Sequence, residues 1–186
     1  EFLLMKKVLL FSFLLLSTLS VMAYETVIIK YPPEELWQKA YYRKVGNEAI
    51  LQYVPNGQSH QNWTRSIIVH AYKFAEYPVG VFMSNNLAKM QKANPSGKYK
   101  YLRVKDNDII AGRCTEDYNG IQAQCEFFRA TRAHEGIISL HYINRDKKDF
   151  MHEYNKWYDI IRKAKYYNSY YRDERILDKA EFFELW

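Results

Sequence analysis

The chain has 186 residues, a formal net charge of +6, two cysteines and 17% aromatic residues, with seventeen tyrosines among them. This length fits one domain, and 48% hydrophobic residues are typical of a globular protein rather than a disordered one. Seven glycines and five prolines exclude a collagen-like chain, and two cysteines are too few for a disulfide scaffold or a four-thiolate zinc site.

The first segment has the pattern of a secretory signal peptide. Two lysines follow Met5, an apolar run extends over Val8–Leu16, and small residues lead to Ala23. We expect cleavage after Ala23, so residues 1–23 form an N-terminal extension and a cleaved signal peptide. An uncleaved anchor is the alternative, but the apolar run is shorter than the ~20 residues that a spanning helix needs. The pattern therefore predicts a periplasmic or secreted protein, with no membrane span after cleavage.

Hydrophobic periodicity and turn signals divide the rest of the chain into strands and helices. The predicted strands are Thr26–Lys30, Glu48–Val54, Trp63–Tyr72, Tyr99–Val104, Asp108–Thr115, Gln122–Arg132 and Gly136–Asn144. Two amphipathic helices are predicted to begin at Pro78 and at Lys147. The segment Glu34–Tyr42 is predicted to form a short helix or irregular cover. This order predicts an α+β domain over residues 24–165. We expect a single antiparallel sheet with the two main helices packed on one face, and one hairpin disulfide.

The loop after Pro55 holds a tryptophan among polar residues. Pro55-Asn56-Gly57 ends a predicted strand, and His60 and Trp63 follow it. Trp63 either pins the loop to the sheet, which we favour, or forms an interaction surface together with His60 and its polar neighbours.

The segment Lys98–Arg103 alternates basic and aromatic residues, a pattern found where sheets bind single-stranded nucleic acid. The same pattern is typical of an edge strand whose lysines prevent aggregation. Removal of the leader takes away one acidic and two basic residues, so the mature chain carries only +5, spread along its length. For an exported chain we favour the edge strand and expect no nucleic-acid partner.

Cys114 and Cys125 stand at equal distances from Asn119-Gly120, the strongest short hairpin signal. A two-residue turn at this dipeptide places the cysteines opposite each other, within the distance that a disulfide can close. We expect an intramolecular disulfide, because an exported chain meets an oxidising compartment. The same register pairs Arg113 with Glu126. A redox-active pair or a metal site is the alternative, but the Cys-x-x-Cys spacing and a nearby histidine are both missing.

Residues 166–186 form a charged, tyrosine-rich tail, for which we expect a further helical turn over 176–183. Tyrosine gives a large contact area at low entropic cost, so Tyr167, Tyr170 and Tyr171 are candidate contacts for an envelope protein partner. Peripheral membrane binding through this tail is an alternative, although its acidic side chains would be repelled by anionic lipid.

Catalytic and metal-binding motifs are incomplete in the sequence. The five histidines are scattered over loop, strands and helix: His60, His70, His134, His141 and His152. His141 reads as a half-buried strand residue rather than a general base. We expect no metal and no cofactor, and favour a non-enzymatic binding protein. A hydrolase that uses His141, Glu126 and Arg129 is the alternative, and the sequence leaves the oligomeric state open.

Two stretches of the chain form recognisable motifs. The first is Tyr53–Ser59 (Tyr-Val-Pro-Asn-Gly-Gln-Ser), followed by Asn62–Thr64 (Asn-Trp-Thr) and an apolar strand. The second is Cys125–Ala130, followed by a glycine turn and a strand that leads into Tyr142–Arg145. Together they resemble a set of small exported proteobacterial proteins of uncharacterised function. The resemblance covers about residues 48–145 and implies a periplasmic or secreted α+β domain without a known activity.

Overall fold

Alternating apolar residues and tight turns give the chain mainly β structure. The computed structural model describes residues 25–30, 32, 34–168 and 181–184, so the predicted leader, Tyr170 and Tyr171 lie outside the described residues. The strands are β1 (Glu25–Ile29), β2 (Trp37–Val45), β3 (Glu48–Pro55), β4 (Arg65–Lys73), β5 (Lys100–Lys105), β6 (Asp108–Thr115), β7 (Gln124–Arg132), β8 (Gly136–Asn144), β9 (Lys165–Asn168) and β10 (Glu181–Glu184). The helices are α1 (Val79–Ala93), α2 (Lys147–His152) and α3 (Tyr154–Lys163).

The strands form two antiparallel sheets. The large sheet has seven strands in the order β2-β3-β4-β8-β7-β6-β5, and the small sheet has the order β10-β1-β9. The expected fold class, a single sheet with two main helices, was wrong. The structure is mostly β, with two sheets and short helices. The segment 34–42, predicted as a short helix, supplies most of β2 instead. Its aromatic residues fit a pleated strand that pairs with β3.

Both faces of the large sheet are buried, although the sequence predicted helices on one face only. On one face, α1 packs its buried side chains against β6 and β7. On the other face, α2, α3 and β1 cover a second core that includes Trp157. The reason lies in β7, where Phe127 and Phe128 point to opposite sides of the sheet and are both fully buried. A sheet that is apolar on both sides needs cover on both.

The hairpin disulfide is confirmed. Asn119 and Gly120 both have positive φ, 48° and 77°, as a two-residue hairpin turn requires. Cys114 pairs with Cys125 across β6 and β7, and their sulfur atoms are bonded. The local sequence signal was therefore sufficient to fix this register.

The tail and the last helix differ from expectation. Glu181–Glu184 is strand β10, so the end of the predicted helical turn is extended chain paired with β1. The single helix predicted from Lys147 is divided into α2 and α3 at Glu153. No helix in the described ranges has the length and apolar character needed to cross a membrane.

Candidate binding site

Helix α1 covers only part of its face of the large sheet. It lies over β6 and β7 and reaches Tyr72 of β4 through Phe82, whereas Arg43 and Val45 of β2 on the same face are exposed. A cleft of about 600 Å³ lies on this face, and we call it the open-face cleft. It is lined by Tyr41, Arg43, Val45, Asn47, Glu48, Ile50 and His70. Alternation along β2 and β3 brings these side chains to one side of the sheet.

His60 packs against Tyr41, one of the residues that line the cleft. The β3–β4 loop brings its ring onto Tyr41, with the ring centroids 4.3 Å apart and nearly parallel. Its Nδ1 lies 2.5 Å from Oε1 of Gln52, whose Nε2 donates to Oγ of Ser66 at 3.0 Å. Gln52 and Ser66 are both buried, so this chain of bonds satisfies groups that water cannot reach.

His70 stands at the floor of the cleft between two polar partners. Its Nδ1 lies 2.7 Å from the hydroxyl of Tyr72, and its Nε2 lies 3.5 Å from the Glu48 carboxylate. Burial lowers the pKa of His70 below its ordinary value, against the opposing effect of Glu48. The imidazole is therefore neutral at pH 7 and presents no fixed positive charge to a ligand.

A buried polar row continues from the cleft toward α1. Nε of Arg113 donates to Oε1 of Glu126 at 2.6 Å, and the two side chains are only 6% and 2% exposed. Nδ1 of His141 lies 3.8 Å from the other oxygen of Glu126. Burial alone would raise the pKa of Glu126, but His141 and Arg113 hold it below its usual range. This carboxylate is thus a buried anion held between the Arg113 guanidinium and the His141 ring.

At its cleft end the row includes the Ser139 hydroxyl. Glu126, His141 and Ser139 therefore follow the acid–histidine–serine order of a hydrolytic triad. Nε2 of His141 lies 3.2 Å from Oγ of Ser139. Ser139 is only 1% exposed, however, and its hydroxyl donates to the backbone carbonyl of His70 at 3.4 Å. In this arrangement the hydroxyl does not reach a substrate in the cleft.

Arg129, the third residue of the hydrolase alternative, lies on the opposite face of the sheet. Its Nε donates to Asp108 at 2.6 Å, and its Nη1 donates to the carbonyls of Ile161 and Ala164 at 2.7 and 2.8 Å. The side chain therefore closes the C-terminal end of α3, where carbonyl groups lack helical partners. Its role is structural, and the structure brings together only His141 and Glu126 of that set.

Trp63 lines a second, separate pocket of about 390 Å³, which we call the loop pocket. The residues around it are Gln38, Gly57, Gln58, Ser59, Asn62, Trp63 and Thr64. The predicted interaction surface is therefore divided, since His60 stacks on Tyr41 of the cleft and Trp63 lines the loop pocket.

Of the three tyrosines predicted to contact a partner, Tyr167 is described: it lies on β9, paired with Thr26 of β1.

Sequence reasoning missed the cleft residues Tyr41, Arg43, Glu48 and His70. The alternation of Glu48–Val54 was a signal for the β3 part of the cleft, but the sequence predicted a helix or irregular cover for the segment that forms most of β2.

The described residues contain no group of three or more His, Cys, Asp or Glu that could hold a metal ion. Comparison with protein-family models, with curated proteins and with solved structures finds no match to this chain.

Proposed function

We propose that this chain is an exported, non-enzymatic binding protein of the bacterial cell envelope. We further propose that it holds a protein partner at the open-face cleft. The observation that carries the proposal is the cleft of about 600 Å³ on the α1 face of the large sheet, which combines aromatic, apolar and charged side chains. Export is supported by the leader pattern that ends at Ala23 and by the disulfide, a bond that persists in oxidising compartments.

The chemistry of the cleft suits recognition. Arg43 is exposed and has no hydrogen bond or ion pair to any residue that the structure describes, so its guanidinium is free to meet an acidic group. Tyr41 offers a ring held in place by His60, and Ile50 and Val45 add apolar surface. The expected contact on the partner therefore combines an apolar or aromatic side chain with a carboxylate.

Photocrosslinking tests the proposal directly. Benzoylphenylalanine placed at Val45, which is 57% exposed in the cleft, is expected to give a discrete adduct with an envelope protein in the producing bacterium. Tyr42 is the matched control, because it is 44% exposed on the same strand but points to the other side. Arg43→Gln should weaken the Val45 adduct and Lys44→Gln should not. Equal adducts from Val45 and Tyr42, or none from Val45, would refute the cleft as the contact.

A hydrolase is the second candidate, favoured only by the order of Glu126, His141 and Ser139. A fluorophosphonate probe separates the two candidates, because it labels an activated serine covalently. Since Ser139 is buried, we expect no labelling of the folded protein. Labelling that disappears in Ser139→Ala, with the melting temperature unchanged, would replace the binding proposal with an enzymatic one.

A further inference from the structure

The loop that carries Trp63 is held in shape by its own polar groups. Nε2 of Gln58 donates to Oγ1 of Thr64 at 3.0 Å, and the backbone N–H of Thr64 donates back to Oε1 of Gln58 at 2.7 Å. Nε2 of Gln38, from β2, donates to the carbonyl of Gln58 at 2.6 Å and ties the loop to the sheet. Ser59 and Asn62 bond each other through their backbones. A loop fixed in this way loses little entropy when a ligand binds.

The lining of the loop pocket is uncharged. Its seven residues supply three carboxamides, two hydroxyls, one indole ring and one glycine, and none of them has an ionisable side chain. Carboxamides and hydroxyls both donate and accept hydrogen bonds, so they match ligands that do the same. An ionic ligand would find no opposite charge in this lining, whereas a neutral polyhydroxylated ligand would find both donors and acceptors.

Trp63 adds an aromatic platform whose orientation is fixed. The Arg145 guanidinium lies 3.7 Å from the centre of the indole, and its Nη1 donates to the Trp63 carbonyl at 2.8 Å. One face of the ring is therefore occupied, and a ligand can stack only on the other. A large, rigid aromatic surface beside hydrogen-bonding groups suits a ring that has an apolar C–H face and a hydroxylated rim.

We propose that the loop pocket is a binding site for an uncharged saccharide, with one sugar ring stacked on Trp63 and its hydroxyls bonded to Gln38 and Asn62. The pocket volume suits one or two sugar rings rather than a long chain. The site shares no lining residue with the open-face cleft. Failure of one site therefore does not imply failure of the other.

Nuclear magnetic resonance of the protein purified after export tests this site. The indole N–H signal of Trp63 is assigned by its loss in Trp63→Phe. The probes are N,N′,N″-triacetylchitotriose and maltotriose, with trialanine as the peptide probe. We expect at least one saccharide to shift this signal in a saturable way and trialanine to leave it unchanged. A response to trialanine alone, or to no probe up to its solubility limit, would overturn the proposal.

Two variants link the response to the pocket. Asn62→Asp puts a negative charge into the lining at almost constant volume, and it should weaken saccharide binding about ten-fold. Lys105→Gln changes an exposed residue of β5, at the opposite edge of the large sheet from β2, so it should leave saccharide binding unchanged. Near-ultraviolet circular dichroism checks that both variants are folded. Saccharide binding that survives Asn62→Asp, or that is lost in a folded Lys105→Gln, would place the site elsewhere.

Discussion

Replacing Arg113 by methionine would leave the Glu126 carboxylate buried without its main counter-charge. Nε of Arg113 and Oε1 of Glu126 are 2.6 Å apart, and the Glu126 side chain is 2% exposed. The His141 ring, which also faces this carboxylate, lies 3.8 Å from it, which is too far for a good hydrogen bond. Removing one partner of such a buried pair costs about 3–5 kcal/mol in the free energy of unfolding. Arg113→Met should therefore destabilise the protein by about that amount.

Urea denaturation at pH 7 measures this cost. The double variant Arg113→Met with Glu126→Leu should be more stable than Arg113→Met alone, because no unpaired charge is then buried. The matched control is Lys147→Met, which breaks the pair with Glu116 at 3.1 Å, whose side chains are 61% and 69% exposed. That exposed pair contributes at most about 1 kcal/mol. A cost of Arg113→Met as small as that of the control, or single-variant costs that simply add, would refute the reasoning.

The pH dependence of the same variant is a further check. In the native protein the pKa of Glu126 is lowered, so its contribution to stability is full above the unfolded value and is lost as the pH falls through the folded one. Without Arg113, burial is opposed by fewer groups and the pKa of Glu126 is higher than in the native protein, so the carboxyl group takes up a proton at higher pH. The stability difference between the native protein and Arg113→Met should therefore narrow from pH 7 to about pH 4. A constant difference would contradict this account.

Three other changes have defined outcomes. Replacing both Cys114 and Cys125 by serine should lower the free energy of unfolding by about 2–3 kcal/mol in urea, with unchanged backbone circular dichroism in the absence of denaturant. Gly136→Ala should abolish soluble expression, since its Cβ would lie 2.0 Å from a backbone carbonyl oxygen of β4. The folded-state pKa of His70 is lowered, so stability should fall as the pH drops through the unfolded value of about 6.5, and His70→Gln should reduce that fall in thermal melts.

Local signals predicted the hairpin well, because everything that determines it lies within a few residues. Asn119-Gly120 specifies the turn, the turn specifies the register, and the register brings Cys114 to Cys125 and Arg113 to Glu126. Strand β8 was also predicted with its observed bounds, since it is a mainly apolar segment between a glycine turn and the start of a helix.

The cleft could not be predicted in this way, because distant strands assemble it. His70 reaches its place through the pairing of β4 with β3, and β4 also pairs with β8, about seventy residues away. The segment 34–42 has no periodicity strong enough to identify a strand, and its conformation follows from pairing with β3. The choice of which helix covers which face likewise depends on tertiary packing, which no short window of sequence contains.

Strand β1 has a consequence for the order in which the chain folds. Val27 and Ile29 are completely or almost completely buried, and among the described strands β1 pairs with β9 and β10, more than 130 residues later along the chain. The small sheet therefore cannot form until almost the whole described chain has emerged, and contacts of such high sequence separation form late. A polypeptide threaded through a translocation channel must stay unfolded until it has crossed. For the export proposed above, pairing β1 with β9 and β10 would delay completion of the fold until after transit.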